Sequence, residues 1–308
     1  MLSAEPYVGK TFLSLELARS VATGTPFLGK FPTQQGNVLF VEEDSPAWDL
    51  SAQLVKLAGA QNDKDRLGLY VTTGQAAYTD LETHLSFLVG AGASLDTTAD
   101  ALALVEAMRY VGPADRQGTD LLILDTMRSM HSSEENDATQ MAHLLEKLRL
   151  IQRSTGAAII LLHHFNKPTK ENAASLSYRL RGSTAILGAL DGLIGLTRVN
   201  KDGLVRASIL KSRAIQTEGF EFWIAPTEEG VGLVYNDTKQ DLAGRMREHV
   251  VTLPVGAQLG MDDFMAVART VFPLKQENAL RVQIQRSVAL LEAQGVIKKG
   301  GRGKWTRA

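Results

Sequence analysis

The sequence predicts an α/β fold: a mainly parallel sheet covered by helices on both faces, followed by a small C-terminal winged helix-turn-helix domain. Three observations carry that prediction. Short strands that are apolar throughout, such as Leu121–Leu124 and Ala157–Leu162, alternate with helices, as in a parallel sheet buried on both faces. Pro6-Tyr7-Val8-Gly9-Lys10-Thr11 leads into the first helix as the working half of a phosphate-binding loop. Beyond residue 240 the chain holds three helical stretches and a terminal hairpin.

The first helix spans 9–23. Phe12, Leu13, Leu15, Leu17, Ala18, Val21 and Ala22 give it a broad apolar face, and Gly24-Thr25-Pro26 ends it. A strand at Asn37–Val41, a helix near Pro46–Leu57 and a strand near Leu67–Thr72 follow. The stretch 75–118 is the least legible, Gly-rich around Gly90-Ala91-Gly92, with a helix expected at Ala99–Tyr110. Next come the apolar strand Leu121–Leu124, the amphipathic helix Asp137–Ser154 and the strand Ala157–Leu162. Asn166–Ser177 is polar and loop-like, and further strands fit Gly192–Leu196, Ala207–Lys211 and Phe220–Ile224. A linker near Tyr235–Lys239 divides the chain into a domain over 1–235 and a second over 240–308. The second holds helices at Asp241–Thr252, Met261–Phe272 and Asn278–Gln294, then two short strands flanking Gly300-Gly301-Arg302-Gly303.

With 44% hydrophobic and 22% charged residues over 308 positions, the chain can bury a sizeable core. No apolar run approaches the ~18–20 residues needed to cross a bilayer, and no secretory signal is visible. The absence of cysteine excludes disulfides and thiolate metal sites, so a cytoplasmic location is expected. The net charge of −1 hides an asymmetry. From Lys275 onward eight Lys/Arg face only Glu277 and Glu292, so this tail carries +6 and the rest −7. A basic end on an acidic body implies a local contact with something anionic.

In the Gly-Lys-Thr turn, backbone N–H groups wrap phosphates, Lys10 reaches the β/γ oxygens and Thr11 offers its hydroxyl to magnesium. The pattern departs in one place: its first glycine is Ala4. Only Met1-Leu2-Ser3 precede it, so the launching strand is expected to be largely missing and the chain reads as N-terminally shortened. Asp125 ends the Leu121–Leu124 strand at the edge where parallel sheets bind ligands, and can hold magnesium through water or cap a turn with Thr126. Glu42-Glu43-Asp44-Ser45 ends a second strand. A carboxylate there can deprotonate the water attacking a γ-phosphate, or Asp44 or Ser45 can simply cap the helix after Pro46. His163 and His164 end a third strand and point to opposite faces, so they do not share a metal. The other histidines (84, 131, 143 and 249) lack ligand spacing, which argues against zinc. Arg179-Leu180-Arg181-Gly182-Ser183 and Leu210-Lys211-Ser212-Arg213 place cations in the second half of the sheet.

In their order, these motifs resemble the RecA-type ATPase superfamily over about residues 4–224, and most of all its RepA-like branch of hexameric helicases. The shared features are the Glu-Asp run after the second strand, the His-His pair and the Arg-Gly-Ser-Thr-Ala segment. The Lys-x-Arg on a late strand is similar to that of DnaB-type helicases. The resemblance implies that Pro6, Tyr7, Val8, Gly9, Lys10, Thr11 and Phe12 cradle ATP, with Thr11 and Asp125 on Mg2+. It implies Glu43 as catalytic base, Glu42 as a close second, and His164 as γ-phosphate sensor. Arg213 and Lys211 match the pair that such rings insert into a neighbouring subunit's site, and Arg181 is a further candidate at the subunit boundary. The loop over 166–178 would face single-stranded DNA in a central channel of a hexameric ring. Lys298, Lys299, Arg302 and Lys304 form a candidate wing on DNA phosphates, with the Asn278–Gln294 helix near a groove. The function implied is an ATP-hydrolysing, DNA-associated oligomeric motor in replication or repair. The alternatives are a regulatory or loader ATPase that does not unwind DNA, and a DNA-binding protein with an inactive ATPase body.

Overall fold

The computed structural model describes residues 1–58, 84–166, 176–180, 184–201, 203–214, 219–226, 231–236, 242–272, 277–301 and 303–308. Leu2–Ala4 forms β1, and Lys10–Thr23 forms α1, which ends on Gly24 in the left-handed conformation. Then come β2 (Val38–Glu42), α2 (Ala47–Ala58), β3 (Leu85–Val89), α3 (Thr98–Arg109), β4 (Leu121–Asp125), α4 (Ala138–Thr155) and β5 (Ala158–His164). Helix α3 starts with a reciprocal capping box between Thr97 and Asp100, and α4 starts with Asp137 accepting from the amides of Thr139 and Gln140. A short helix α5 (Thr184–Ala189) precedes β6 (Gly192–Arg198), β7 (Leu204–Ser212), β8 (Phe220–Pro226) and β9 (Val231–Tyr235).

These nine strands make one sheet in the order β3-β2-β4-β5-β1-β6-β7-β8-β9. From β3 across to β6 every neighbour is parallel; from β6 to β9 every neighbour is antiparallel. The mainly parallel sheet is therefore correct, with an antiparallel half built from consecutive strands. β6 and β7 are close enough in the chain to pair as a hairpin, whereas the parallel pairs need helical crossovers. The launching strand β1 is only three residues long, yet it is fully buried and sits between β5 and β6.

Two apolar layers clamp the sheet. One gathers Leu13, Leu15 and Ala18 of α1 and Leu50 and Leu54 of α2 against Phe40, Phe87 and Ile123. The other packs Leu104 and Met108 of α3 and Met141, Leu144 and Leu148 of α4 against Leu122, Leu124 and Leu161. Each such side chain contributes about 1.5–3 kcal/mol on burial, so these layers fix the strand ends on which the site is built.

β3 is absent from the sequence prediction. Its Leu-Ser-Phe-Leu-Val run lies in the Gly-rich stretch, and Phe87 packs on Phe40 with ring centroids 5.8 Å apart. The strand expected near Leu67–Thr72 and most of the loop over 166–178 lie outside the described residues. Tyr235, where the linker is expected, belongs to β9, and residues 237–241 lie outside the described residues. Asn236 is also buried, accepting from Trp223 and donating to Glu221.

The C-terminal region runs α6 (Leu242–Thr252), β10 (Gln258–Gly260), α7 (Met261–Val271), α8 (Glu277–Ala293), β11 (Ile297–Lys299) and β12 (Lys304–Arg307). It has a hydrophobic cluster of its own, centred on Met246, Phe264, Leu280, Ile284 and Leu291 and closed by Trp305, whose ring meets Phe264 edge-on at 5.5 Å. β10, too short to read from the sequence, joins the expected hairpin in a three-stranded antiparallel sheet ordered β10-β12-β11. Among the described residues no helix is long and apolar enough to cross a membrane.

Candidate active site

Because β1, β2, β4 and β5 are mutually parallel, their carboxyl ends share one edge of the sheet, and the candidate residues gather there. The turn between β1 and α1 is shaped by Gly9, at φ 102, where a Cβ would lie 2.4 Å from Cδ1 of Ile224. The positive φ favours glycine, and any side chain there would also displace the Ile224 methyl. Directly after it, Lys10 is buried, with 7% of its surface exposed, and its Nζ lies 3.4 Å from Nδ1 of His164. Thr11 donates its hydroxyl to Oδ2 of Asp125 at 2.7 Å. Burial lowers the Lys10 pKa, against the opposing pull of Asp125 and Asp44. Pro6 and Tyr7 are exposed, Val8 is buried, and Phe12 packs half-buried on the α1–α2 layer.

The β2–β4 register sets Glu42 directly opposite Asp125. Glu42 is fully buried, and its Oε1 accepts from the amides of Asp44 (2.8 Å) and Ser45 (2.7 Å). Burial first, and then the charge of Asp125, push its carboxyl up to about 8. Asp125 is pushed up to about 6, mainly by burial, with the Thr11 hydrogen bond and Lys10 pulling the other way. Two adjoining buried carboxyls resist ionising together until a cation joins them.

Glu43 is placed differently from the expectation. Its carboxylate accepts from the amides of Ala91 (3.1 Å), Gly92 (3.3 Å) and Ala93 (2.9 Å), in the turn that follows β3. In this conformation the expected base holds a turn. Asp44, one of the three acids in that run and a candidate cap, shares the electrostatic field of Lys10, Asp125 and Glu42, and accepts from the Ser129 hydroxyl at 3.3 Å. His163 is fully buried in β5 while His164 turns to Lys10, as strand alternation requires.

Two arginines brace the loop, and sequence reasoning missed both roles. Arg179, buried, pairs with Glu5 and donates to the carbonyl of Asn166, tying the loop entrance to the end of β5. Arg198, at the end of β6, donates to the carbonyl of Tyr7 at 2.7 Å. In the sequence Arg179 is one cation of a short run and Arg198 follows a strand, and each by itself reads as surface charge.

The cations of the antiparallel half do not join this cluster. Lys211 Nζ donates to the carbonyls of Leu187 (2.5 Å) and Gly188 (3.1 Å) at the end of α5. Arg213 pairs with Asp191 at 2.7 Å and reaches the Gly188 carbonyl at 3.4 Å, with its side chain 58% exposed. Arg181 lies outside the described residues, as does Arg302; Lys298, Lys299 and Lys304 are exposed on β11 and β12. The donor set at the sheet edge is a buried ammonium, a hydroxyl and paired carboxyls. It suits a polyphosphate together with a hard divalent cation that prefers oxygen ligands.

Residues 1–170 match the family described as AAA domain. Among solved structures, the chain is similar to one described as an ATPase domain, with 14% identity and a TM-score of 0.51, covering 72% of this chain and 80% of that one. It is also similar to "The Structure Of A DnaB-Like Replicative Helicase And Its Interactions With Primase", with 14% identity and a TM-score of 0.49, over 76% of this chain and 56% of that one. The first of these likenesses shows the fold, a RecA-like sheet with helices on both faces.

Proposed function

The chain belongs to the AAA domain family, and from that premise we propose that it is an ATP-hydrolysing, DNA-associated oligomeric motor of the RepA-like helicase type, acting in replication or repair. One observation carries the reading: a buried lysine amine 3.4 Å from His164, beside a threonine hydroxyl already on Asp125 at 2.7 Å. Burying an ammonium is costly unless an anion joins it, and a triphosphate is the anion this loop chemistry fits.

In this reading Gly9, Lys10 and the start of α1 hold the phosphates of ATP, while Thr11 and Asp125 hold Mg2+, which neutralises charge on the transferring phosphoryl group. His164 senses the terminal phosphate through the nitrogen that faces Lys10. Proton abstraction from the attacking water is assigned to Glu43, which leaves the Ala91–Ala93 amides to perform it. Glu42 supports from behind: its carboxyl fixes the turn carrying Glu43 and Asp44 through the Asp44 and Ser45 amides. Lys211 and Arg213, and Arg181 beside them, are the groups a protomer offers to its neighbour in a hexameric ring. Lys298, Lys299, Arg302 and Lys304 bind DNA phosphates as the wing of a winged helix, and the loop over 166–178 meets single-stranded DNA.

ATP turnover with and without single-stranded DNA, followed by strand separation on a forked duplex, tests the proposal. DNA-stimulated turnover that disappears in Lys10→Ala, together with unwinding, is the expected result. Turnover without unwinding would identify a regulatory or loader ATPase. No Lys10-dependent nucleotide binding would remove the ATPase reading altogether.

A further inference from the structure

The loop holds one residue that its backbone disfavours. Tyr7 has φ 62, the left-handed region that glycine enters freely and that a residue with a β-carbon avoids. It is also 94% exposed, so its ring has almost no packing within the chain to offset that conformation. Its backbone is nevertheless fixed, because Arg198 clips the Tyr7 carbonyl to the end of β6 at 2.7 Å. Just past Arg198, in the turn joining β6 to β7, Val199 is 42% exposed. Two segments 191 positions apart are thus fastened together, with an exposed apolar side chain on or beside each.

The direction of a bound nucleotide follows from the sheet order. The acids and His164 come from β2, β4 and β5, all on one side of β1. Arg198, Val199 and Ile224, which packs on Gly9, come from β6, the β6–β7 turn and β8 on the other side. A triphosphate held with its terminal phosphate toward the acids therefore carries its base toward Tyr7 and the β6–β7 turn. Resting on the phosphate-site assignment above, we infer that Tyr7 is the base-stacking residue of the nucleotide site, its ring covering one face of a purine beside the β6–β7 turn. Stacking is tolerant of base identity, since every base offers a π face. The contact sets affinity for nucleotides over bare polyphosphate and leaves adenine and guanine little separated.

Calorimetric titration of the full chain with MgATP and with magnesium tripolyphosphate separates base from phosphate. Tyr7→Gly is expected to weaken MgATP about tenfold, while tripolyphosphate affinity stays the same or tightens as the left-handed residue becomes glycine. Tyr7→Trp is expected to keep MgATP affinity within about threefold, since it restores an aromatic face. The two ligands shifting by the same factor in Tyr7→Gly, or MgATP not shifting, would overturn the assignment. Lys10→Ala is the separate control and should weaken both ligands. If it weakens neither, the phosphate site itself is wrong, and the role of Tyr7 falls with it.

Discussion

The two halves of the large sheet handle charge in opposite ways. In the parallel half, Lys10, Glu42 and Asp125 are buried, and their protonation is governed by desolvation and by one another. In the antiparallel half, Arg213 is mostly exposed and is held by a surface carboxylate and a helix-end carbonyl, as Lys211 is by two carbonyls. Burial amplifies each electrostatic contact and penalises any group left unpaired. Surface ion pairs are worth about 0–1 kcal/mol and are easily exchanged. The parallel half is therefore a fixed pocket within one chain, and the antiparallel half presents cations that can change partners. The proposed insertion of Arg213 into a neighbouring protomer's site would use that division.

The largest expected effect tests the exchangeable side. In assembled protein Arg213→Ala should lower ATP turnover by on the order of 10³–10⁵, with the melting temperature almost unchanged because the Asp191 pair is exposed. Steady-state turnover and a thermal melt on the same sample check both parts. An unchanged rate would leave the antiparallel half with no part in the chemistry.

Next in size is the acid run on the fixed side. Glu43→Gln should reduce single-turnover hydrolysis about 10²–10⁴-fold while MgATP still binds. Asp44→Asn, at the carboxylate sharing the field of Lys10, separates positioning from proton abstraction. Should Asp44→Asn abolish hydrolysis and Glu43→Gln spare it, the base would be Asp44 and Glu43 only a turn anchor.

The smallest effect is thermodynamic and belongs to the buried pair. In the folded chain the Glu42 carboxyl sits at about 8 instead of 4.5, so between those values the folded state keeps a proton that the unfolded state has released. Its contribution is complete below pH 4.5 and is lost as pH rises toward 8, with a slope of at most about 1.4 kcal/mol per pH unit. Asp125, at about 6 instead of 3.8, adds to the lower part of that window. Denaturant melts of nucleotide-free protein should show stability falling from about pH 4.5 to about 8, and Glu42→Gln should flatten the fall. A wild-type profile flat across that range would mean the pair is not buried as described.

Much of this was legible because the chemistry sits at the ends of apolar strands. Once Leu121–Leu124 and Ile159–Leu162 are read as parallel, Asp125 and His164 must lie on the same edge as Lys10. Strand alternation separated His163 from His164 for the same reason. Pairing register was not legible: only the β2–β4 ladder shows that Glu42 faces Asp125, and only the turn after β3 explains where Glu43 goes. β3 lay in the Gly-rich stretch and β10 was too short to stand out, and the parking of Lys211 and Arg213 on the end of α5 depends on contacts that no local pattern encodes.

Manganese, substituted for magnesium, makes the shared pocket directly observable. In the presence of ATP, titration of Mn2+ followed by electron paramagnetic resonance should reveal nucleotide-dependent metal binding to the wild type. That binding should be lost in Asp125→Asn and weakened in Thr11→Ala. Nucleotide-dependent manganese binding unaffected by both substitutions would contradict the claim that the Gly9-Lys10-Thr11 turn and the tip of β4 form one phosphate and metal site.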